Sequence, residues 1–265
     1  METTTTTTPT LPPEADSPAV SELWSATRDP VSRVSRRLDA LQTLLESDPV
    51  AAVEFVVDEL SRDDLAEGWR DALVFLVEDI HLPEPLRQRV GDRLLAIAAS
   101  LRGSAKLGVE KVVWSALRRA ASLLPPAQAE RFLPFLDCPS LVDTRSVALR
   151  CLERVFEPAP PVEGHLVTAL RERVTQFAFK FLDPDVFAGG ENALIAQNAV
   201  CALAALGDPR LGGVIDRVNQ LGRSWMNRQV RARLEHLLES WRSRDASVSN
   251  HPAFQNLEDR LRTLR

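Results

Sequence analysis

At 265 residues, with 45% hydrophobic and 26% charged residues, the chain has the length and composition of one large soluble domain or two ordinary ones. A net charge of −5 argues against a general attraction to nucleic acid or anionic membrane, and no apolar run approaches the length that spans a bilayer. The three cysteines lack metal-ligand spacing and no secretory leader pattern is seen, so a reducing, cytoplasmic setting is expected.

Residues 1–28 carry six consecutive threonines, then proline, serine and acids. So little apolar surface cannot offset the entropy of ordering, and a disordered tail is expected there, with Leu23 and Trp24 docking on the first helix or, as the second reading, forming a short linear motif for a partner. From Asp29-Pro30 a helix is expected to about Ser47. Asp48 then caps the next helix and Pro49 occupies its first position, where a missing N–H costs nothing. Further helices are expected over about 63–80, 85–102 and 108–124, with Gly103 ending the middle one.

The stretch from Leu133 to Phe156 reads as a helix closing at Leu136, a corner at Asp137, Pro139 and Ser140, and a second helix capped by Asp143. Val147, Ala148, Cys151, Leu152, Val155 and Phe156 form the apolar stripe of that second helix. Beyond the PAPP segment at 158–161, helices are expected over 164–182 and 191–206. The latter is apolar nearly all round, so it must be covered on most sides. Gly207-Asp208-Pro209-Arg210 turns the chain into a helix to about Leu221. A loop at 222–225 leads to a helix over Gln229–Trp241, and an amphipathic end cap closes the chain at 252–264.

First helices of successive hairpins begin near 49, 85, 126, 164 and 208, spacings of 36, 41, 38 and 44 residues. A period of about 40 residues is that of two-helix α-solenoids. The pattern LxxLxDxPxxxxxTRxxALxxL around 133–152, the turn Ala204–Arg210 and the run Gln229-Val230-Arg231-Ala232 resemble HEAT repeats of the kind found in bacterial arrays. The likeness is good from about 125 to 242 and rests only on period and helix pairing from 29 to 124. It implies an all-α, right-handed superhelix of about five hairpins over 29–243, preceded by the tail and closed by residues 244–265. It also implies that Arg145 and Arg231 bond along the corners.

Nothing in the sequence signals chemistry. The four histidines have no metal-type spacing, and there is no phosphate loop, nucleophile elbow or Cys/His signature. No catalytic, metal or cofactor site is therefore expected. Subtracting the apolar stripes from the second helices leaves Lys111, Ser115 and Arg118, then Arg150, Glu153 and Arg154, then Gln197 and Asn198, then Arg228 and Glu235. Together they suit a mixed-charge, Arg-rich groove for a protein or peptide with acidic patches. Asn198 stands out, because a polar group in so apolar a helix must find a partner. The alternative is a nucleic-acid-binding protein or DNA glycosylase of the HEAT-like kind, with Trp69-Arg70-Asp71, Trp114 beside Arg118 and Arg119, and Trp225 near Arg228 in the leading parts.

Overall fold

A computed structural model describes residues 20–62, 64–102, 104, 108–138, 142–187 and 190–264. All regular structure among the described residues is helical, and no helix there is long and apolar enough to cross a membrane. The chain falls into two compact units, with the division between Val56 and Val57.

The first unit holds α1 (Val20–Arg28), α2 (Val34–Ser47) and the start of α3 (Pro49–Leu60). Helix α1 occupies the last part of the stretch expected to be tail. It forms because Trp24 finds cover: its ring meets Phe55 edge-on, with centroids 5.5 Å apart, and the Arg28 guanidinium lies 4.8 Å above it. Arg37 of α2 donates to the Thr27 carbonyl at 2.8 Å, tying the two helices together. Asp29 does not open a helix. Its carboxylate accepts from the Val31 N–H and the Ser32 hydroxyl, a local turn that delays α2 to Val34. Asp48 does sit at the head of α3, accepting from the Ala51 N–H at 3.5 Å.

The second unit contains α4 (Glu67–Asp79), α5 (Glu84–Leu101), α6 (Val109–Leu123), a 3-10 segment (Pro126–Asp137), α7 (Val142–Phe156), α8 (His165–Phe181) and the short α9 (Pro184–Phe187). Then come α10 (Gly190–Ala205), α11 (Leu211–Leu221), α12 (Ser224–Arg244), a second 3-10 segment (Ala246–Asn250) and α13 (Pro252–Thr263). Helix α6 packs on α4, α5 and α7; α7 packs on the first 3-10 segment and α10; α10 packs on α8 and α12; and α12 packs on α13. Helix α10 is the hub. Residues 199–206 are without exception buried, as an all-round apolar helix requires.

Several expectations need correction. Residues 126–137 wind as 3-10 and not as an α-helix, since Pro134 inside the segment has no N–H to donate and its ring crowds the preceding turn. Asp143 lies within the first turn of α7 and does not precede it. Helix α12 starts at Ser224, taking in the second half of the expected loop and the residues up to Gln229. Five hairpins would need ten helices, whereas the described residues form thirteen α-helices and two 3-10 segments. Gly103 and the corner residues Pro139 and Ser140 lie outside the described residues.

The turn after α10 is the most heavily tied point. Gly207 takes φ +61°, and the fully buried Asp208 accepts from Thr175 Oγ1 (3.1 Å), the Arg210 N–H (2.8 Å) and the Arg210 guanidinium (2.8 and 3.0 Å). Arg171 of α8 donates to the Leu206 carbonyl at 2.8 Å, and Asn256 of α13 to the Asp208 carbonyl at 3.1 Å. One turn therefore holds α8, α10, α11 and α13 in register. Elsewhere, Arg145 donates to the Cys138 carbonyl at 2.7 Å, and Arg231 to the Leu264 carbonyl.

Candidate functional site

Helix α7 buries Ala148, Leu149, Cys151, Leu152, Val155 and Phe156. With that stripe committed to packing, Arg150 and Arg154 must project from the opposite side, one turn apart. Arg118 arrives from α6, and Arg233 and His236 from α12. These five side chains, with Val147, Cys151, Glu153 and Glu157, line a cavity of about 460 Å³. A second cavity of about 700 Å³ adjoins it, sharing Arg154 and Glu157 and adding Arg87 and Arg244.

The charges here are unevenly satisfied. Arg233 is bound to Glu153 through two nitrogens and donates to Asn198 Oδ1 at 2.5 Å. Asn198 in turn donates to the hydroxyl and the carbonyl of Ser146, at 2.5 and 3.2 Å. This chain of contacts links α12, α10 and α7 and supplies the partner that a buried Asn198 demands. Glu157 faces His236 Nε2 at 3.2 Å, and its carbonyl accepts from Ser240, while Trp241 Nε1 donates to the Phe156 carbonyl at 2.9 Å. Arg118 reaches Glu78 at 3.1 Å. Arg150 and Arg154 make no ion pair or hydrogen bond among the described residues.

The cationic field extends beneath the surface. Burial, reinforced by the like charges of Arg154 and Arg87, holds the Arg119 guanidinium below the ordinary arginine value. Arg119 donates to the Ile80 carbonyl at 2.6 Å, but its Nε is buried without an acceptor. Cys151 lines the cavity, and burial pushes its thiol up to about 12, although the Arg154, Arg118 and Arg150 charges pull the other way.

Of the residues singled out from sequence, Arg118, Arg150, Glu153 and Arg154 are brought together. Ser115, Gln197 and Asn198 are buried, and Gln197 Oε1 has no partner. Lys111 and Arg228 are exposed but line no part of this cavity. Glu235 lies two residues beyond Arg233, about 200° around α12. It pairs with Arg231 at 3.7 Å and lines a different cavity, of about 620 Å³, with Arg242 and Glu258. Sequence reasoning missed Arg233, His236 and Glu157. Their signal was only a polar stripe at 233, 236 and 240 of α12, for which α7 offered no reason to be the neighbour.

Two of the three tryptophans considered for nucleic-acid contact are occupied within the fold. Trp69 is core and donates to Glu59 at 2.8 Å, and Trp114 donates to Thr144 Oγ1 at 3.1 Å; Trp225 alone of the three is exposed. A search against protein-family models, curated proteins and solved structures finds no match to this chain.

Proposed function

We propose that this chain is a non-enzymatic interaction module, a helical-repeat scaffold of HEAT-like kind that grips a protein partner bearing acidic patches along the groove over α6, α7 and α12. The repeat reading is supported by bonds that recur about one period apart. Arg118–Glu78, Arg119–Ile80, Arg131–Asp92, Arg210–Glu172 and Arg171–Leu206 span 40, 39, 39, 38 and 35 residues. Three buried, unpaired cysteines support a reducing, cytoplasmic setting.

The binding reading rests on one observation: among the described residues Arg150 and Arg154 make no ion pair, and both line one cavity in a chain whose net charge is −5. Nearly every other arginine near them has an acceptor. Two adjacent like charges without counter-ions favour an anionic partner, and Arg presents it with planar, bidentate donors.

The test is affinity purification from the native cells with wild-type bait and with the Arg118→Glu, Arg150→Glu, Arg154→Glu triple variant. A partner held in stoichiometric amount by the wild type and lost by the variant is the expected result. Equal retention by both would remove the groove from consideration.

A further inference from the structure

We infer that the cavity over α7 is a phosphomonoester subsite, taking a phosphoserine or phosphothreonine carried by the partner; this rests on the interaction reading above and specifies its chemistry. Charge is the first argument. Arg118 is paired with Glu78 and Arg233 with Glu153, whereas Arg150 and Arg154 have no ion pair among the described residues, so two guanidinium charges at the cavity are uncompensated. A phosphate monoester carries about −1.5 to −2 near neutral pH, whereas a carboxylate carries −1. One carboxylate would leave the pair Arg150 and Arg154 half-compensated.

Geometry is the second argument. Arg150 and Arg154 are one helical turn apart, about 6 Å of rise, and Arg118 approaches from the facing helix. Three guanidinium groups lining one cavity, one of them also reaching Glu78, can supply donors to the three terminal oxygens of a tetrahedral phosphate. A planar carboxylate is satisfied by a single guanidinium fork. The same gathering bears on Cys151, whose thiol is raised by burial and lowered by the charges of Arg154, Arg118 and Arg150. Glu153 does not oppose an incoming anion, being held by Arg233.

Size is the third. A volume of about 460 Å³ admits one modified side chain but no folded surface. The adjoining cavity of about 700 Å³, which shares Arg154 and is walled by Leu124, Pro125, Pro126 and Pro158, gives the flanking peptide a path.

Calorimetric titration of the full chain tests this with four probes at matched ionic strength: an alanine-flanked phosphoserine peptide, the same peptide with glutamate at that position, the peptide with serine, and inorganic phosphate. The phosphoserine peptide should bind at least tenfold tighter than the other three. Arg150→Ala or Arg154→Ala should each weaken it about 10- to 100-fold, the range for hydrogen bonds to a charged group. Arg154→Lys should recover only part of that loss, and Arg228→Ala, outside the cavity, should change nothing. Both α7 arginines are exposed, so unchanged melting of the free variants will show that folding is intact. Equal affinity for the glutamate peptide would overturn the phosphate inference while leaving an acidic-partner groove standing. Inorganic phosphate binding as tightly as the peptide would show a site for free phosphate and overturn the partner-borne assignment. No saturable binding of the phosphoserine peptide would overturn the inference outright, with the charge-reversal purification deciding the broader reading separately.

Discussion

Arg233→Ala is the most searching perturbation of this structure, because Arg233 joins two helices far apart in sequence. It bonds Glu153, 80 residues earlier, and Asn198, which is fully buried. Removing one partner of a buried ion pair costs about 3–5 kcal/mol, since the other charge is stranded. Here the side chains retain 20% and 16% exposure, so water screens part of the loss and about 2–4 kcal/mol is expected. Part of that sum is Asn198 Oδ1, left without its donor in the core. Urea denaturation of Arg233→Ala, Glu153→Ala and the double variant measures the coupling directly, and it should be at least about 1 kcal/mol. An apolar exchange of both, Arg233→Met with Glu153→Leu, should recover part of the loss, because no charge is then stranded, while the share due to Asn198 Oδ1 remains. Strict additivity of the two alanine substitutions would refute the reasoning, for it would mean that α7 and α12 exchange no energy through this pair.

Two further outcomes follow from the turn after α10. Gly207→Ala should destabilise by about 2–5 kcal/mol in the same denaturation assay, combining a left-handed backbone penalty with overpacking. The overpacking arises because an added Cβ would stand 2.5 Å from that of Ala253. Gly222 has the same φ of +61° but open space around it, so Gly222→Ala should cost only the backbone share, about 1–2 kcal/mol. For Asp208, burial alone would raise the carboxyl pKa, but hydrogen bonds and charge from Arg210, with help from Thr175, bring it below the ordinary carboxylate value of 3.8. A lowered folded pKa means that the ionised group stabilises fully above the unfolded value and that this contribution is lost as pH falls through the folded one. Melting temperatures of wild type and Asp208→Asn should therefore differ by a constant amount above about pH 5 and converge in more acid solution. A gap that widens on acidification would reverse the assignment.

Much of the helical frame was legible because its signals are local. Pro49 and Pro252 open helices where the missing N–H is harmless, and the apolar run of α10 could only be a covered helix. Asn198 could be singled out for the same reason, as a polar group set in an apolar run. The errors came where local signals conflict or are weak. Pro134 sits in a segment whose apolar spacing suits an α-helix, yet a ring that cannot donate forces the tighter winding. Helix α1 has little apolar surface and is held by one aromatic contact and a cation over it, which composition alone does not show.

The missed half of the site has a different cause. Repeat logic lets each unit touch only the next, so a polar stripe on α12 should face solvent or α10. Instead, Arg233, His236, Ser240 and Trp241 reach α7, across separations of 79 to 85 residues, or about two periods. The contact is made through side chains and backbone carbonyls, with α10 supplying Asn198 between them. A row of helices that repeated without change would not need it. Its effect is to bring Arg233 and His236 of α12 beside Arg150 and Arg154 at one cavity, where both α7 arginines stay exposed. The same bonds that depart from nearest-neighbour packing are thus what place α12 side chains at the cavity lined by the α7 arginines.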